Sequence, residues 1–122
     1  MFDHLGFSVK DMAASRAFYA AALAPLGIGV VMDFGSDIGF GRDGRAQFWI
    51  GSGDKPKGAA HIAFVAKTRE EVRAFYAAAL AAGAKDNGPP DLRPIYHPHY
   101  YGAFVIDLNG HNIEAVCRSP EA

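Results

Sequence analysis

Two histidines and one glutamate have the types and spacing for joint chemistry. His4 opens the run HLGFSV, His61 opens HIAFVA, and Glu114 interrupts the apolar run NIEAVC. Read as strands, whose side chains alternate between faces, these runs put His4 with Gly6 and Ser8, and His61 with Ala63 and Val65. Leu5, Phe7, Val9, Ile62 and Phe64 then make the bulkier faces that a helix can cover. Glu114 shares a face with Asn112 and Val116. An ionised carboxylate among apolar neighbours is costly unless it is exposed, paired or bound to a metal. Taken singly, a strand histidine is an ordinary hydrogen-bonded or surface residue, and the glutamate an edge residue. Taken together, two imidazoles and one carboxylate make a donor set that leaves several positions open on an octahedral divalent ion.

A second group of reactive side chains lies in RPIYHPHYYGAF, where Arg93, Tyr96, His97, His99, Tyr100 and Tyr101 precede an apolar run. Tyrosine and histidine donate protons or orient an oxygen, so His97, Tyr100 and Tyr101 are the candidate catalytic groups. Arg93 has the fork that holds a carboxylate or phosphonate. Trp49 and Phe48, in GRAQFWIG, are candidates for an apolar wall against a substrate, although an aromatic residue in a strand is usually core. His99 and His111 read as loop or turn residues, and Cys117 as a small buried hydrophobe.

The elements that position these residues come from a duplication. RAFYAAAL occurs at Arg16–Leu23 and again at Arg73–Leu80. Shifting the chain by 57 positions also brings His4 onto His61, Phe7 onto Phe64 and Lys10 onto Lys67, so the repeat includes the strand before the helix. Strands are expected over 4–9 and 61–66. Asp11 caps the first helix, and Thr68-Arg-Glu-Glu71 has the spacing of a capping box. Asp43-Gly44 and Asn109-Gly110 are turns leading to closing strands over 46–50 and 112–116. The stretch 83–98, with prolines at 89, 90, 94 and 98, reads as a loop. The expected fold is α+β: two tandem βαβββ modules, about 1–55 and 58–118, with helices outside a cupped mixed sheet, in one domain over 1–122.

Composition excludes several function classes. The formal net charge is −1 with no basic run, which argues against a nucleic-acid partner. No apolar stretch approaches a membrane span. The opening MFDHLGFSVKD is interrupted by polar residues, unlike a secretory signal. One cysteine makes no internal disulfide and suits a reducing compartment, so a cytoplasmic protein is expected.

Through DHLGFSVKDMAASRAFYAAAL, HIAFVAKTREEVRAFYAAAL and AFVIDLNGHNIEAV, the chain resembles the vicinal-oxygen-chelate superfamily of glyoxalases, extradiol dioxygenases, fosfomycin-resistance enzymes and bleomycin-binding proteins. The resemblance implies two βαβββ modules cupped around one divalent ion (Fe, Mn, Ni, Co or Zn), with ligand positions falling on His4, His61 and Glu114. It implies a small-molecule substrate whose oxygens chelate the metal, for isomerase, lyase, dioxygenase or epoxide-addition chemistry. The alternative it carries is a non-catalytic drug- or metabolite-binding protein of the bleomycin-resistance type. Glyoxalase I-like members take a fourth ligand from the last strand of the first module. That region here offers Phe48 or Trp49, depending on register, with Gln47 the nearest polar residue, so a three-ligand site is the simpler reading. Superfamily sites form within one chain or between two, and a homodimer is expected because a small open-edged sheet benefits from pairing.

Overall fold

The protein is described by a computed structural model covering residues 4–52 and 60–120; the module boundary expected near 55–58 lies outside the described residues. The first module runs β1 (Leu5–Val9), α1 (Met12–Leu23), a 3-10 turn at Ala24–Leu26, β2 (Gly29–Asp33), β3 (Asp37–Arg42) and β4 (Arg45–Ser52). The second runs β5 (His61–Val65), α2 (Arg69–Ala81), β6 (Lys85–Leu92), β7 (Tyr101–Ile106) and β8 (Asn112–Cys117). Each module is therefore βαβββ, and the fold is α+β. The strands form two four-stranded mixed sheets, ordered β1-β4-β3-β2 and β5-β8-β7-β6. In each, the first strand pairs parallel with the last, and the other pairs are antiparallel.

Local chemistry sets the helix starts. Asp11 accepts a hydrogen bond from the Ala14 amide at 3.0 Å, and the Thr68 hydroxyl accepts one from the Glu71 amide at 3.1 Å. Glu71 reaches back one residue further than a capping box requires, accepting from the Lys67 amide at 3.1 Å. Each helix covers the bulky face of its own sheet, and the two helices touch. Phe18, Tyr19, Ala22 and Leu23 from α1, and Val72, Phe75 and Ala79 from α2, join Phe40, Phe48, Ile50, Ile62, Val105 and Ile113 in one buried cluster shared by both modules.

Two expectations need correction. The stretch read as a loop over 83–98 contains β6, which runs through Pro89 and Pro90. A proline cannot donate to a ladder, so it is confined to edges and bulges. Here β6 is the edge strand of its sheet, and its pairing with β7 slips twice, between Asp86 and Gly88 and between Gly88 and Asp91. His111, read as an ordinary turn residue, is 1 % exposed. Its ring stacks on Phe7 of the first module at 4.1 Å, and its Nδ1 accepts from the Ala60 amide at 3.0 Å. The turn before β8 is thereby locked between the modules. Asp107 accepts from the Tyr19 hydroxyl at 2.5 Å and from the amides of Asn109 and His111, each at 2.8 Å. Asn109 in turn accepts from the Lys10 amide at 3.2 Å. Burial, then the charge and hydrogen bond of Asp107, push the Tyr19 phenol far above its ordinary pKa.

Candidate functional site

The helix-free face of the second sheet carries the candidate site. In β5 the alternation is plain: Ile62 is buried, whereas His61, Ala63 and Val65 are exposed. Parallel pairing sets His61 beside Asn112 and Ala63 beside Glu114. On the other side of β8, Phe104 of β7 lies opposite Glu114, and Gly102 opposite Val116. Glu114 thus stands in the middle of the open face, yet it is only 2 % exposed. The cover is Tyr100, which comes from the turn before β7 and is itself buried. A side chain at Gly102 would block this arrangement, because a Cβ there would lie 3.1 Å from the Tyr100 ring and 3.4 Å from Glu114 Oε2.

Both carboxylate oxygens are engaged. The Tyr100 hydroxyl donates to Glu114 Oε2, and His61 Nε2 lies 2.9 Å from Oε1. These contacts offset the cost of burying the charge. Burial, then the hydrogen bond and charge of Glu114, raise the Tyr100 phenol well above its usual pKa, with Arg118 opposing; the group stays protonated and remains a donor. A cavity of about 340 Å³ opens over this floor, lined by His61, Tyr96, Tyr100, Phe104, Glu114 and Arg118. The Arg118 guanidinium lies over the Tyr100 ring at 5.0 Å, and Tyr96 meets the same ring edge-on at 5.2 Å.

Of the three candidate proton-transfer groups, only Tyr100 lines this cavity. Tyr101 is one residue on, so its side chain takes the helix face, where Arg73 donates to its hydroxyl at 3.3 Å and Arg69 lies over its ring at 5.2 Å. His97 shapes the turn: its Nδ1 accepts from the His99 amide at 3.0 Å, and its carbonyl accepts from the Tyr100 amide at 3.0 Å. Arg93 donates to the Pro89 carbonyl at 2.9 Å and lies over the Phe104 ring at 5.4 Å, behind a residue of the cavity rather than in it. Phe48 is core, packed against Tyr19 at 4.9 Å and Phe64 at 5.4 Å. It also borders a separate apolar cavity of about 240 Å³ between the modules, with Gln47 and Arg42 on its lining.

Trp49 is on the open face of the first sheet, and its register answers the question left by the sequence. Gly6 pairs with Trp49 as Ala63 pairs with Glu114, and Gly6 and Ala63 correspond under the 57-residue shift. Trp49 is therefore the first-module counterpart of Glu114. Its indole spreads over Gly39, where a Cβ would lie 3.0 Å from the ring, and stacks parallel to Phe34 at 6.2 Å.

His4, immediately before β1, belongs to that first-module face. Among the described residues no three His, Cys, Asp or Glu side chains gather into a group that could hold a metal ion; His4 precedes β1 of the first sheet, whereas His61 and Glu114 lie in strands of the second. Those two do fit as ligands. Adjacent donors on an octahedral ion with bonds of about 2.1 Å stand about 3 Å apart, close to the 2.9 Å between His61 Nε2 and Glu114 Oε1. Phe104 and Arg118 escaped the sequence reading, although the signal for Arg118 was present: positions 114, 116 and 118 share one face by alternation.

The family model for the glyoxalase/bleomycin resistance protein/dioxygenase superfamily matches residues 1–115. No curated protein sequence matches. Among solved structures, the chain is similar to a glyoxalase/bleomycin resistance protein from Albidiferax ferrireducens, with 29 % identity, a TM-score of 0.84, and coverage of 98 % of this chain and 99 % of that one. It shares the fold of a family enzyme from Burkholderia phytofirmans at 17 % identity, TM-score 0.74, covering 96 % and 98 %. It also shares the fold of the fosfomycin resistance protein FosX from Listeria monocytogenes at 23 % identity, TM-score 0.70, covering 95 % and 88 %, solved as a mutant complexed with Mn(II) and 1S,2S-dihydroxypropylphosphonic acid. No helix among the described residues is long and apolar enough to cross a membrane.

Proposed function

The chain belongs to the glyoxalase/bleomycin resistance protein/dioxygenase superfamily, and from that premise we propose that it is a metalloenzyme acting on a small molecule. The reading has His61 and Glu114 hold a divalent ion (Fe, Mn, Ni, Co or Zn), completed by His4 from a second copy of the chain. The observation that carries it is the His61 Nε2–Glu114 Oε1 pair, 2.9 Å apart at the floor of an open cavity. His4 shares its register with His61 but not its sheet, which favours assembly across a homodimer.

Such an ion, when bound, supplies a Lewis acid and a template for two substrate oxygens. The protein's own groups do the rest. Tyr100 holds Glu114 Oε2, leaving Oε1 directed towards His61. Its phenol, kept neutral by burial, is a hydrogen-bond donor on the cavity wall. Phe104, Tyr96 and the Tyr100 ring line the cavity and offer apolar surface to a carbon skeleton. Isomerase, lyase, dioxygenase and epoxide-addition chemistry all suit an oxygen-chelating site of this kind, and the metal's identity would separate redox from non-redox classes.

The alternative is sequestration of a drug or metabolite without turnover. The parallel Phe34–Trp49 stack on the first module's open face, with Phe34 69 % exposed, is the feature that favours it. Metal analysis of the wild type, His4→Ala and His61→Ala distinguishes the two. The metalloenzyme reading expects about one ion per chain in the wild type and none in either variant. Co-refolding the two variants should restore about a quarter of the wild-type content, since in a two-fold dimer only mixed pairs rebuild one site. No uptake by the wild type would leave sequestration standing. Uptake by His4→Ala equal to the wild type would remove His4 from the ligand set.

A further inference from the structure

We propose that the apolar cavity between the modules is a second ligand site, and that it takes a small monocarboxylate with a hydrocarbon body. The body would lie against the inner walls while the carboxylate, at the rim, meets Gln47 and Arg42. This site is separate from the His61–Glu114 cavity and depends neither on a metal nor on what that cavity does.

The cavity measures about 240 Å³, and its inner wall comes from both modules: Phe40 and Phe48 of the first, Ile62 and Phe64 of the second. Phe40, Phe48 and Ile62 are buried, whereas Gln47 and Val65 on the same lining are exposed. Access therefore runs past Gln47 and Val65. An apolar cavity of about 150 Å³ is already large enough to bind benzene, so this one has room for a ring or short chain with a polar head.

Gln47 faces the cavity because the strand is irregular there. Phe40 pairs with Phe48 but Gly41 with Ala46, which leaves Gln47 as an extra residue in β4. Ala46 and Trp49 both lie against Gly39, where a Cβ would stand 2.8 Å from Ala46 Cβ and 3.0 Å from the Trp49 ring. In a regular strand, residues three apart take opposite faces. The extra residue puts these two on one face, and Gln47 goes with Phe48 to the cavity. Only glycine fits opposite the bulge, since a Cβ at Gly41 would lie 1.7 Å from the Arg45 carbonyl oxygen. An amide is thus delivered to the rim of an apolar space, and among the described residues its side chain makes no hydrogen bond.

Arg42 adds the charge. Its Nη2 donates to the Leu26 carbonyl of the first module and, at 3.5 Å, to the Val65 carbonyl of the second, so the group spans the seam. Nε is enclosed without a hydrogen-bond partner, which leaves Nη1 to meet a ligand. Among the described residues no carboxylate pairs with Arg42. A carboxylate answers both donors, with one oxygen for Nη1 and the other for the Gln47 amide, and it offsets a positive charge held beside apolar walls.

The test is a titration of the metal-free, ¹⁵N-labelled full chain with benzoate, following the Gln47 side-chain amide and the Gly41 backbone amide. Acetate supplies the charge without the ring, and benzyl alcohol the ring without the charge. Benzoate should give saturable shifts at both positions, about tenfold or more tighter than benzyl alcohol, and acetate should give none. Gln47→Glu sets a second carboxylate at the rim and should weaken benzoate binding by about tenfold or more, with benzyl alcohol binding and the dispersed, folded spectrum retained. Arg118→Gln, which alters only the other cavity, should leave benzoate binding unchanged. Equal affinity for benzoate in Gln47→Glu and the wild type would overturn the proposal. So would equal binding of benzoate and benzyl alcohol by the wild type, which needs no variant to fold. Shifts confined to the Gly102 amide would place benzoate in the His61–Glu114 cavity and likewise overturn it, as would the absence of any saturable shift.

Discussion

The open faces of the two sheets begin from the same plan and end with different chemistry. Each starts with a histidine, His4 or His61, and two residues later each has a small side chain, Gly6 or Ala63, beside the last strand of its module. Opposite that small residue the first module has Trp49 and the second Glu114. The next strand is exchanged in the same sense: Gly39 lies across from Trp49, and Phe104 across from Glu114. One face therefore has an indole lying over a glycine, and the other a carboxylate beside a phenyl ring with a phenol above it. After duplication, exchanges at two pairs of facing positions left one copy with an apolar aromatic face and the other with a buried carboxylate beside a histidine.

The helices show the same divergence from identical residues. Tyr19 and Tyr76 occupy the same place in RAFYAAAL, yet Tyr19 is 1 % exposed and bonded to Asp107 of the other module. Tyr76 is part-exposed and bonded to Asp86 of its own. What each tyrosine does depends on the element packed against it, not on its own sequence.

The sharpest break in the comparison is Glu114→Gln against Trp49→Phe. The first should lower metal affinity more than about a hundredfold, beyond the 10–100-fold typical of an outer partner; the second should leave it within a few-fold, as read by calorimetric titration with Mn(II) or Zn(II). Equal losses would mean that the faces are not differentiated as their register indicates. Tyr100→Phe frees Glu114 Oε2 and should cost about 10–100-fold in the same titration, with an altered visible spectrum in the Co(II)-loaded protein. An unchanged spectrum and affinity would make Tyr100 merely a cover.

Between the helices, Tyr19→Phe strips a hydrogen bond from a buried carboxylate and should destabilise by about 1–3 kcal/mol. Tyr76→Phe should remain within about 0.5 kcal/mol; urea midpoints measure both. The raised phenol of Tyr19 also gives a pH signature. The folded chain keeps that proton while the unfolded chain loses it above about pH 10. Stability is thus fully present below that pH and declines above it, by up to about 1.4 kcal/mol per pH unit for this one group. Tyr19→Phe should flatten that decline; a parallel slope in the variant would assign it elsewhere.

Much of this architecture was legible from residue order. A repeat that includes both strand and helix identifies two modules. Period-two alternation put His61 and Ala63 outward and Ile62 inward, because a pleated backbone leaves no other choice. Caps at Asp11 and Thr68 are local events between neighbours, so local sequence suffices for them. Strand β6 was not legible, because prolines forbid a central strand but not an edge, and edge or centre is a property of the whole sheet.

The site divided along the same line. Sequence alone brought His4, His61 and Glu114 forward as one candidate donor set, and restricted the first-module counterpart of the glutamate to Phe48 or Trp49, with Gln47 the nearest polar residue. Tertiary structure chose Trp49, since register depends on hydrogen bonding between strands distant in the chain. It also separated Tyr100 from Tyr101, neighbours that alternation sends to opposite faces once β7 is in place. It brought Arg118 over a ring eighteen positions earlier in the chain, and it kept His4 on a different sheet from its counterpart. Side-chain type and local order are written in the chain; which groups meet is decided by long-range pairing and packing.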